Sequence, residues 1–339
     1  MSKTYTVLVT DAAWPSLEIE REILAGAGAK LLVADPGDEA ELLGLVSRAD
    51  AILNNWRPIS ATLLEAAPRC LVVSRYGIGV DNIAVERATE LGIVVANVPG
   101  FCVDEVSDHA MALLLACGRR LPALSEAVRR GEWTIEPARG MHRLRGLTLG
   151  LVGFGGIARA MVPKAAGFGL SVIAWTPRLD QTVLPDDVRA ASSLDELLRA
   201  SDFVSLHAPA TPETRSLIGE PELRAMKPGA FLINTSRGAL IDEEALVRAV
   251  VENRIGGAAL DVLSIEPPPS DHPLLHLDRV LVTPHSAFYS EEAVAVVEQR
   301  AATNVAAVLS GRLPDSVVNR EVLESPALRA AAGNTEARA

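Results

Sequence analysis

The sequence predicts an α/β protein of two domains, each built on a parallel sheet with helices on its faces. Three observations carry this expectation. From Tyr5 onward, short β-rich runs alternate with helical stretches, the rhythm of repeated βα units. At Leu147–Ala158, LTLGLVGFGGIA, an apolar strand runs into a glycine loop that opens a helix. The chain, at 339 residues with 49% hydrophobic and 22% charged, is long and apolar enough for two separate cores.

The first domain opens with YTVLV and continues through the helical LEIEREILAGAGA, the run KLLVA, the helical DEAELLGLVSRA, the run AILN, ISATLLEAA, and LVVSR ending at Arg75. A loop, YGIGVDN, spans 76–82; a helix over 84–91 and a strand over 93–96 close this unit near Pro99. Residues 103–121 read as one long apolar helix joining the domains. Asp104 and Glu105 favour its positive end, and Gly118, Arg119 and Arg120 mark its stop. The stretch 131–145, rich in Gly and Arg, is a loop. Strands are then expected from Leu147 and at 171–175, 203–206, 231–234, 258–261 and 280–283. Pro163 falls inside the helix after the glycine loop, where a lost backbone donor costs roughly 3 kcal/mol unless packing offsets it, so a kink is expected there. Residues 291–309 form another long helix, and 314–319 an extended piece returning to the first domain. From Glu321 there is little strand or core pattern, which reads as a helix or a loose tail. The domains are thus 1–99 with 289–320, and 100–288, followed by a tail at 321–339.

Gly153, Gly155 and Ala158 fit the G-x-G-x-x-G/A pattern. The first glycine permits a tight turn, the second lets a pyrophosphate approach, and the third small residue keeps helix and strand close. The helix start offers free N–H groups and a positive dipole end to an anion. A lone glycine match is weak, but here strand, helix and a second strand stand where a βαβ unit requires them. The net charge of −11 gives no basic field for nucleic acid. Cys70, Cys102 and Cys117 lack metal or redox spacing and read as buried reduced thiols of a cytoplasmic protein. There is no signal-peptide pattern, and the longest apolar run, 110–117, is far short of the ~18 residues of a membrane span.

Three stretches at predicted strand ends of the second domain, INTSRG, DVLSIEP and TPHSA, carry Arg237, Glu266 and His285. Ligands of open α/β sheets collect at such ends. Singly, each residue reads as an exposed cation, a loop acid or a capped histidine; together, behind a nucleotide loop, they read as a site. His109 lies on the apolar helix, and His142, His272 and His276 lie in polar loops. None has metal-ligand spacing, so no metal site is expected.

In this order the stretches resemble the D-isomer-specific 2-hydroxyacid dehydrogenases. The likeness runs from about Tyr5 to Asn319 and takes in RYGIGVDNI, the glycine loop, LHAP at 206–209 and TPETRSLI at 211–218. NNWRPIS, NVPGFCVDEVSDHA and TPHSAFYSEEA are most similar to the branch containing the C-terminal-binding proteins, which include transcriptional corepressors. The resemblance implies a Rossmann-type doubly wound sheet with a smaller flavodoxin-like substrate domain, NAD or NADP as cofactor, and a small 2-oxoacid such as glyoxylate or hydroxypyruvate as substrate. Reducing a 2-oxoacid takes a hydride donor, an acid for the carbonyl oxygen and a clamp for the carboxylate. His285 would donate the proton, and Glu266 would stabilise its imidazolium form. Arg237 would hold carboxylate and carbonyl oxygen in a fixed fork. The Ile78 and Gly79 N–H groups resemble the second carboxylate clamp, and Asp261 the nicotinamide-amide contact. Gly153, Gly155, Gly156, Ile157, Thr176, Arg178, His207, Ala208, Pro209, Thr214, Thr235, Ser236 and His285 fall at cofactor-side positions.

The departures carry information as well. Thr176 stands where NAD-preferring members carry an acid for the ribose hydroxyls, and with Arg178 nearby a 2′-phosphate becomes acceptable. Phe288 stands where the C-terminal-binding proteins have a Trp. The resemblance also implies a homodimer built on the second domain, through the 103–121 helix and the Arg-rich loop, because AMALLLAC is too uniformly apolar to leave a face in water. A second reading is a nucleotide-sensing, corepressor-like binding protein with vestigial turnover.

Overall fold

The alternation of β-rich and helical runs folds into two sheets whose strands all pair in parallel. In the computed structural model residues 4–35, 38–177 and 184–330 are described. The chain divides into two units, Met1–Phe101 with Ser290–Ala339, and Cys102–Tyr289.

Unit 1 runs β1 (Tyr5–Val9), α1 (Glu18–Gly26), β2 (Ala29–Val33), α2 (Glu39–Val46), β3 (Ala51–Asn54), α3 (Ala61–Glu65), β4 (Val72–Arg75), α4 (Val85–Glu90) and β5 (Val94–Ala96). Its sheet order, β2-β1-β3-β4-β5, is the flavodoxin-like one. Strand alternation sends Val7, Val9, Leu53, Val72 and Val94 to one core and Leu8, Ile52, Val73 and Val95 to the other. The C-terminal part of the chain completes the first core. Residues 314–319 lie along β5, with Val318 N–H donating to the Val95 carbonyl at 2.8 Å and Asn319 Oδ1 accepting from Val95 N–H at 2.8 Å. Of the two readings of this end, a helix or a loose tail, the structure gives a short 3-10 helix over Arg320–Glu324 and a packed stretch to Ala330. Val322 and Ala330 are buried in the core of unit 1, and Arg329 Nη1 donates to the Ala67 carbonyl at 2.7 Å. Two apolar residues eight apart give no periodicity, so the sequence conceals this anchoring.

Unit 2 opens with α5 (Val103–Gly118) and α6 (Leu121–Arg129), followed by β6 (Thr148–Val152), α7 (Gly156–Gly167), β7 (Ser171–Trp175), β8 (Val188–Ala190), α8 (Leu194–Ala200) and β9 (Phe203–Leu206). It continues with α9 (Glu220–Ala225), β10 (Phe231–Asn234), α10 (Glu243–Val251), β11 (Gly257–Leu260) and β12 (Val280–Val282), after which α11 (Glu291–Leu309) belongs to unit 1. The order β12-β11-β10-β9-β6-β7-β8 is the doubly wound Rossmann order extended by one strand, with its switch point between β6 and β9. Helices α5 and α7 cover one face and α8, α9 and α10 the other.

The long helix expected over 103–121 ends instead at Gly118. Arg120 turns left-handed at φ 48°, and Pro122 starts α6, where its missing N–H costs nothing. The apolar face of α5 is consumed within its own unit, since Ala110, Met111, Leu113 and Leu114 pack with Leu149, Leu151 and Met161. That removes the argument for a dimer from this helix. The exposed apolar side chains lie beyond it, at Leu121 and Val128 on α6 and at Trp133 and Ile135 in the loop. Helix α7 runs on through Pro163, anchored by buried Met161, Val162 and Ala165. Among the described residues, no helix is long and apolar enough to cross a membrane.

Candidate active site

In unit 2 the parallel strands deliver their C-terminal ends, and the residues just beyond them, to one edge of the sheet. At the switch point the glycine loop after β6 lies against the residues after β9, with His207 N–H donating to the Val152 carbonyl at 2.7 Å. Gly153 has φ +93°, and a Cβ there would sit 2.4 Å from the His207 carbonyl oxygen, so only glycine fits. At Gly155 a Cβ would meet nothing within 4 Å, and α7 begins there without a side-chain cap. The open space therefore faces the unpaired N–H groups of Gly156 and Ile157, the environment a pyrophosphate requires. Ala158, fully buried, keeps helix and sheet close.

Two buried polar atoms nearby have no partner among the described residues, His207 Nδ1 and Thr235 Oγ1. His207 Nε2 meets Ser205 Oγ at 2.9 Å, and burial holds the imidazole down to about 4, so it is neutral near pH 7. A neutral ring with one unused nitrogen suits a cofactor-side contact and not a proton donor. Both orphan atoms and the open helix start fit a dinucleotide. Ser236 Oγ donates to the Leu206 carbonyl at 2.8 Å, which ties the β10 loop to β9. Thr214 braces its own loop, donating to the Pro209 carbonyl at 2.6 Å and accepting from Thr211 N–H at 2.8 Å, and so shapes the turn that follows Ala208 and Pro209. Thr176 directly follows β7, half-buried, while Arg178 lies outside the described residues.

The three candidate catalytic side chains come from the loops after β10, β11 and β12. His285 Nδ1 lies 2.6 Å from Glu266 Oε2, and Glu266 Oε1 accepts from Leu263 N–H at 2.9 Å. Burial raises the Glu266 carboxyl. The His285 hydrogen bond and charge, the Leu263 N–H and the Arg237 guanidinium outweigh it, so the net shift is downward and the group stays a carboxylate. Arg237 comes close through Gly238, where a Cβ would stand 2.0 Å from the Leu263 carbonyl carbon; the β10 and β11 loops touch only because this residue is glycine. Behind them Glu243 accepts from Ser264 N–H at 2.7 Å and meets His272 Nε2 at 3.2 Å, steadying the loop that carries Glu266.

Asp261, expected to contact the nicotinamide amide, is engaged by groups of its own unit. Its carboxylate, 1% exposed, accepts from Thr283 Oγ1 at 2.5 Å, Ser286 N–H at 3.0 Å and Ala287 N–H at 2.8 Å, and its carbonyl accepts from His285 N–H at 2.8 Å. It thereby fixes the turn that holds His285 at φ 50°. His109, expected to be a bystander on an apolar helix, reaches this group, with Nε2 3.0 Å from Thr283 Oγ1. A signal for it exists in the sequence: position 109 follows Val106 by three and precedes Leu113 by four, which sets it beside the buried stripe of α5.

In unit 1, Ile78 and Gly79 follow β4. Asn97 Nδ2 donates to the Ile78 carbonyl at 2.7 Å, and the buried Arg75 beneath donates to Asn55 Oδ1 at 3.0 Å and to the Tyr76 carbonyl, so the loop's peptides are oriented. The three cysteines are buried and free, and burial pushes each thiol up to about 12.

A family model for the NAD binding domain of D-isomer specific 2-hydroxyacid dehydrogenases matches residues 111–287. The chain belongs to this family. Its members are oxidoreductases that use NAD or NADP, and this chain shares both properties. A D-3-phosphoglycerate dehydrogenase from Methanocaldococcus jannaschii is 38% identical over 315 residues, 92% of this chain but 59% of that protein, so the chain spans well under two thirds of that relative. A glyoxylate reductase from Thermococcus litoralis is 41% identical over 296 residues, 84% of this chain and 88% of that one. Among solved structures, an NADPH-dependent glyoxylate/hydroxypyruvate reductase from Sinorhizobium meliloti, in complex with NADP and malonate, has a TM-score of 0.82 at 29% identity and covers 94% of this chain and 98% of that one.

Proposed function

We propose that the protein is an NAD(P)-dependent D-2-hydroxyacid dehydrogenase that reduces a small 2-oxoacid, glyoxylate or hydroxypyruvate. The observation that carries this reading is the 2.6 Å pairing of His285 with Glu266, in a turn fixed by Asp261 and beside Arg237. The bound nicotinamide supplies the hydride. Arg237, permanently charged, forks the substrate carboxylate and carbonyl oxygen and polarises the carbonyl. With Nδ1 engaged by Glu266, His285 delivers the proton on Nε2 to the carbonyl oxygen, and the carboxylate steadies the imidazolium until then. In the reverse direction the same nitrogen takes the hydroxyl proton.

The glyoxylate and hydroxypyruvate reductases among the relatives support the substrate class, and the S. meliloti enzyme's NADP supports acceptance of NADPH. These relatives favour turnover over the corepressor-like reading, and they lend no support to the branch containing the C-terminal-binding proteins, where Phe288 already departs. We place the enzyme in the cytoplasm, in keeping with its three reduced thiols, and pair it as a homodimer through α6 and the loop after it. The test is oxidation of NADH and NADPH against a panel of 2-oxoacids. Turnover with glyoxylate or hydroxypyruvate is expected, and a chain that binds the cofactor yet reduces no 2-oxoacid would overturn the reading.

A further inference from the structure

We infer that His109 is a positioning residue of the reductase site, acting on His285 through Thr283 and Asp261; the inference rests on the reaction proposed above. Asp261 is a buried carboxylate, and a buried charge persists only with donors and a compensating charge. Its donors are Thr283 Oγ1 and the Ser286 and Ala287 N–H groups. Among the described residues, the cation-capable side chain within ion-pair distance is His109, whose Nε2 lies 3.6 Å from Asp261 Oδ1.

Counting hydrogens fixes the direction of the contacts. The Thr283 hydroxyl has one hydrogen, and at 2.5 Å it faces a carboxylate that can only accept. The 3.0 Å contact between His109 and Thr283 therefore requires the hydrogen to sit on His109 Nε2. A directed relay results. His109 Nε2–H donates to Thr283 Oγ1, and Thr283 O–H donates to Asp261 Oδ1. Asp261 then grips the two N–H groups after His285 and, by its carbonyl, the N–H of His285 itself. His285 stands at φ 50°, a left-handed conformation that a non-glycine residue keeps only where its surroundings over-determine it. His109 supplies the outermost donor of that restraint. It reaches it from α5, across 174 positions of sequence.

Substitution separates positioning from space-filling. His109→Leu keeps bulk and loses the donor. His109→Gln carries an amide N–H at about the reach of Nε2, while the amide of His109→Asn stops near the position of Nδ1. The expected result is a fall in kcat for 2-oxoacid reduction of at least about tenfold in the Leu and Asn variants, with a much smaller change in the KM of either substrate, and recovery in the Gln variant. A Leu variant within about twofold of wild type, or Asn recovering as well as Gln, would overturn the assignment. A readout independent of turnover is the long-range proton–nitrogen NMR spectrum of the wild-type histidine rings. It is expected to show His109 protonated at Nε2, and a ring protonated at Nδ1 alone would overturn the relay even if the variants failed to fold. A wild type that reduces no 2-oxoacid would instead overturn the proposed reaction, and the ring spectrum would still decide the relay.

Discussion

Glu266 is pulled two ways, upward by burial and downward by His285, Leu263 and Arg237, and the downward pull prevails. The same contact orients the imidazole, since Glu266 Oε2 lies 2.6 Å from His285 Nδ1. Glu266→Gln keeps the size of the side chain and removes its charge, and kcat/KM for reduction should fall by at least about tenfold. An unchanged kcat/KM would dissolve the pairing. Thr176 sets a second expectation. With a hydroxyl where a ribose-binding acid would stand, NADPH should serve at least comparably with NADH, and Thr176→Asp should turn preference to NADH, checked by the two KM values. Arg237, Glu266 and His285 were readable in the sequence because each follows a β-rich run that announces its own strand end. The place of His109 beside the buried stripe of α5 was readable as well, but its contact was not, because Thr283 stands 174 residues away and only the folded sheet brings it to α5. The grip of Asp261 on the turn after β12 was equally hidden, since hydrogen bonds to backbone N–H groups leave no mark on side-chain pattern.

At the scale of elements, most strands were legible because their apolar runs are unbroken and bounded by polar or glycine residues. β8, only Val188–Ala190 with Arg189 at its centre, has too little apolar sequence to announce itself. The break between α5 and α6 was missed because Leu121 continues the apolar pattern, while the left-handed Arg120 and the following Pro122 decide the geometry. The packing of α1 on α11 holds something no pattern would suggest. Glu20 is fully buried on α1, with its Oε1 accepting from Tyr76 Oη at 2.8 Å, and Glu298 is 6% exposed on α11. Burial, and then the charge of Glu20, pushes the Glu298 carboxyl up to about 7. Because this acid is raised in the folded state, its stabilising contribution is complete below the ordinary carboxylate range and is lost as pH rises through about 7. Glu298→Gln, which mimics the protonated form, should therefore raise the melting temperature above that pH, by roughly 2–4 °C per kcal/mol recovered, and change it little in mild acid. Thermal melts across pH check this, and a variant destabilised at alkaline pH would contradict it.

At the scale of the whole molecule, both sheet orders follow from one rule. Parallel βα units wound outward from a central strand leave a switch point, and unit 2 places its glycine loop there between β6 and β9. The nucleotide domain was thus readable from a single stretch in its context, whereas the packing of 321–330 onto unit 1 was not, since isolated apolar residues carry no period. Assembly is the other molecular question. With α5 buried in its own unit, the surface that calls for a partner is Leu121, Val128, Trp133 and Ile135, the last two 93% and 80% exposed. Light scattering should give twice the mass of one chain, and Trp133→Glu with Ile135→Glu should return it to the monomer; a wild-type monomer would contradict the pairing and leave the chemistry untouched. His285, held by Glu266 and the Asp261 turn, is the proposed acid of the 2-oxoacid reductase. The role is tested by kcat/KM for the preferred 2-oxoacid in His285→Ala, measured beside the affinity for NADPH. A loss of at least about 100-fold with cofactor binding kept is expected, and turnover within about tenfold of wild type would contradict the role.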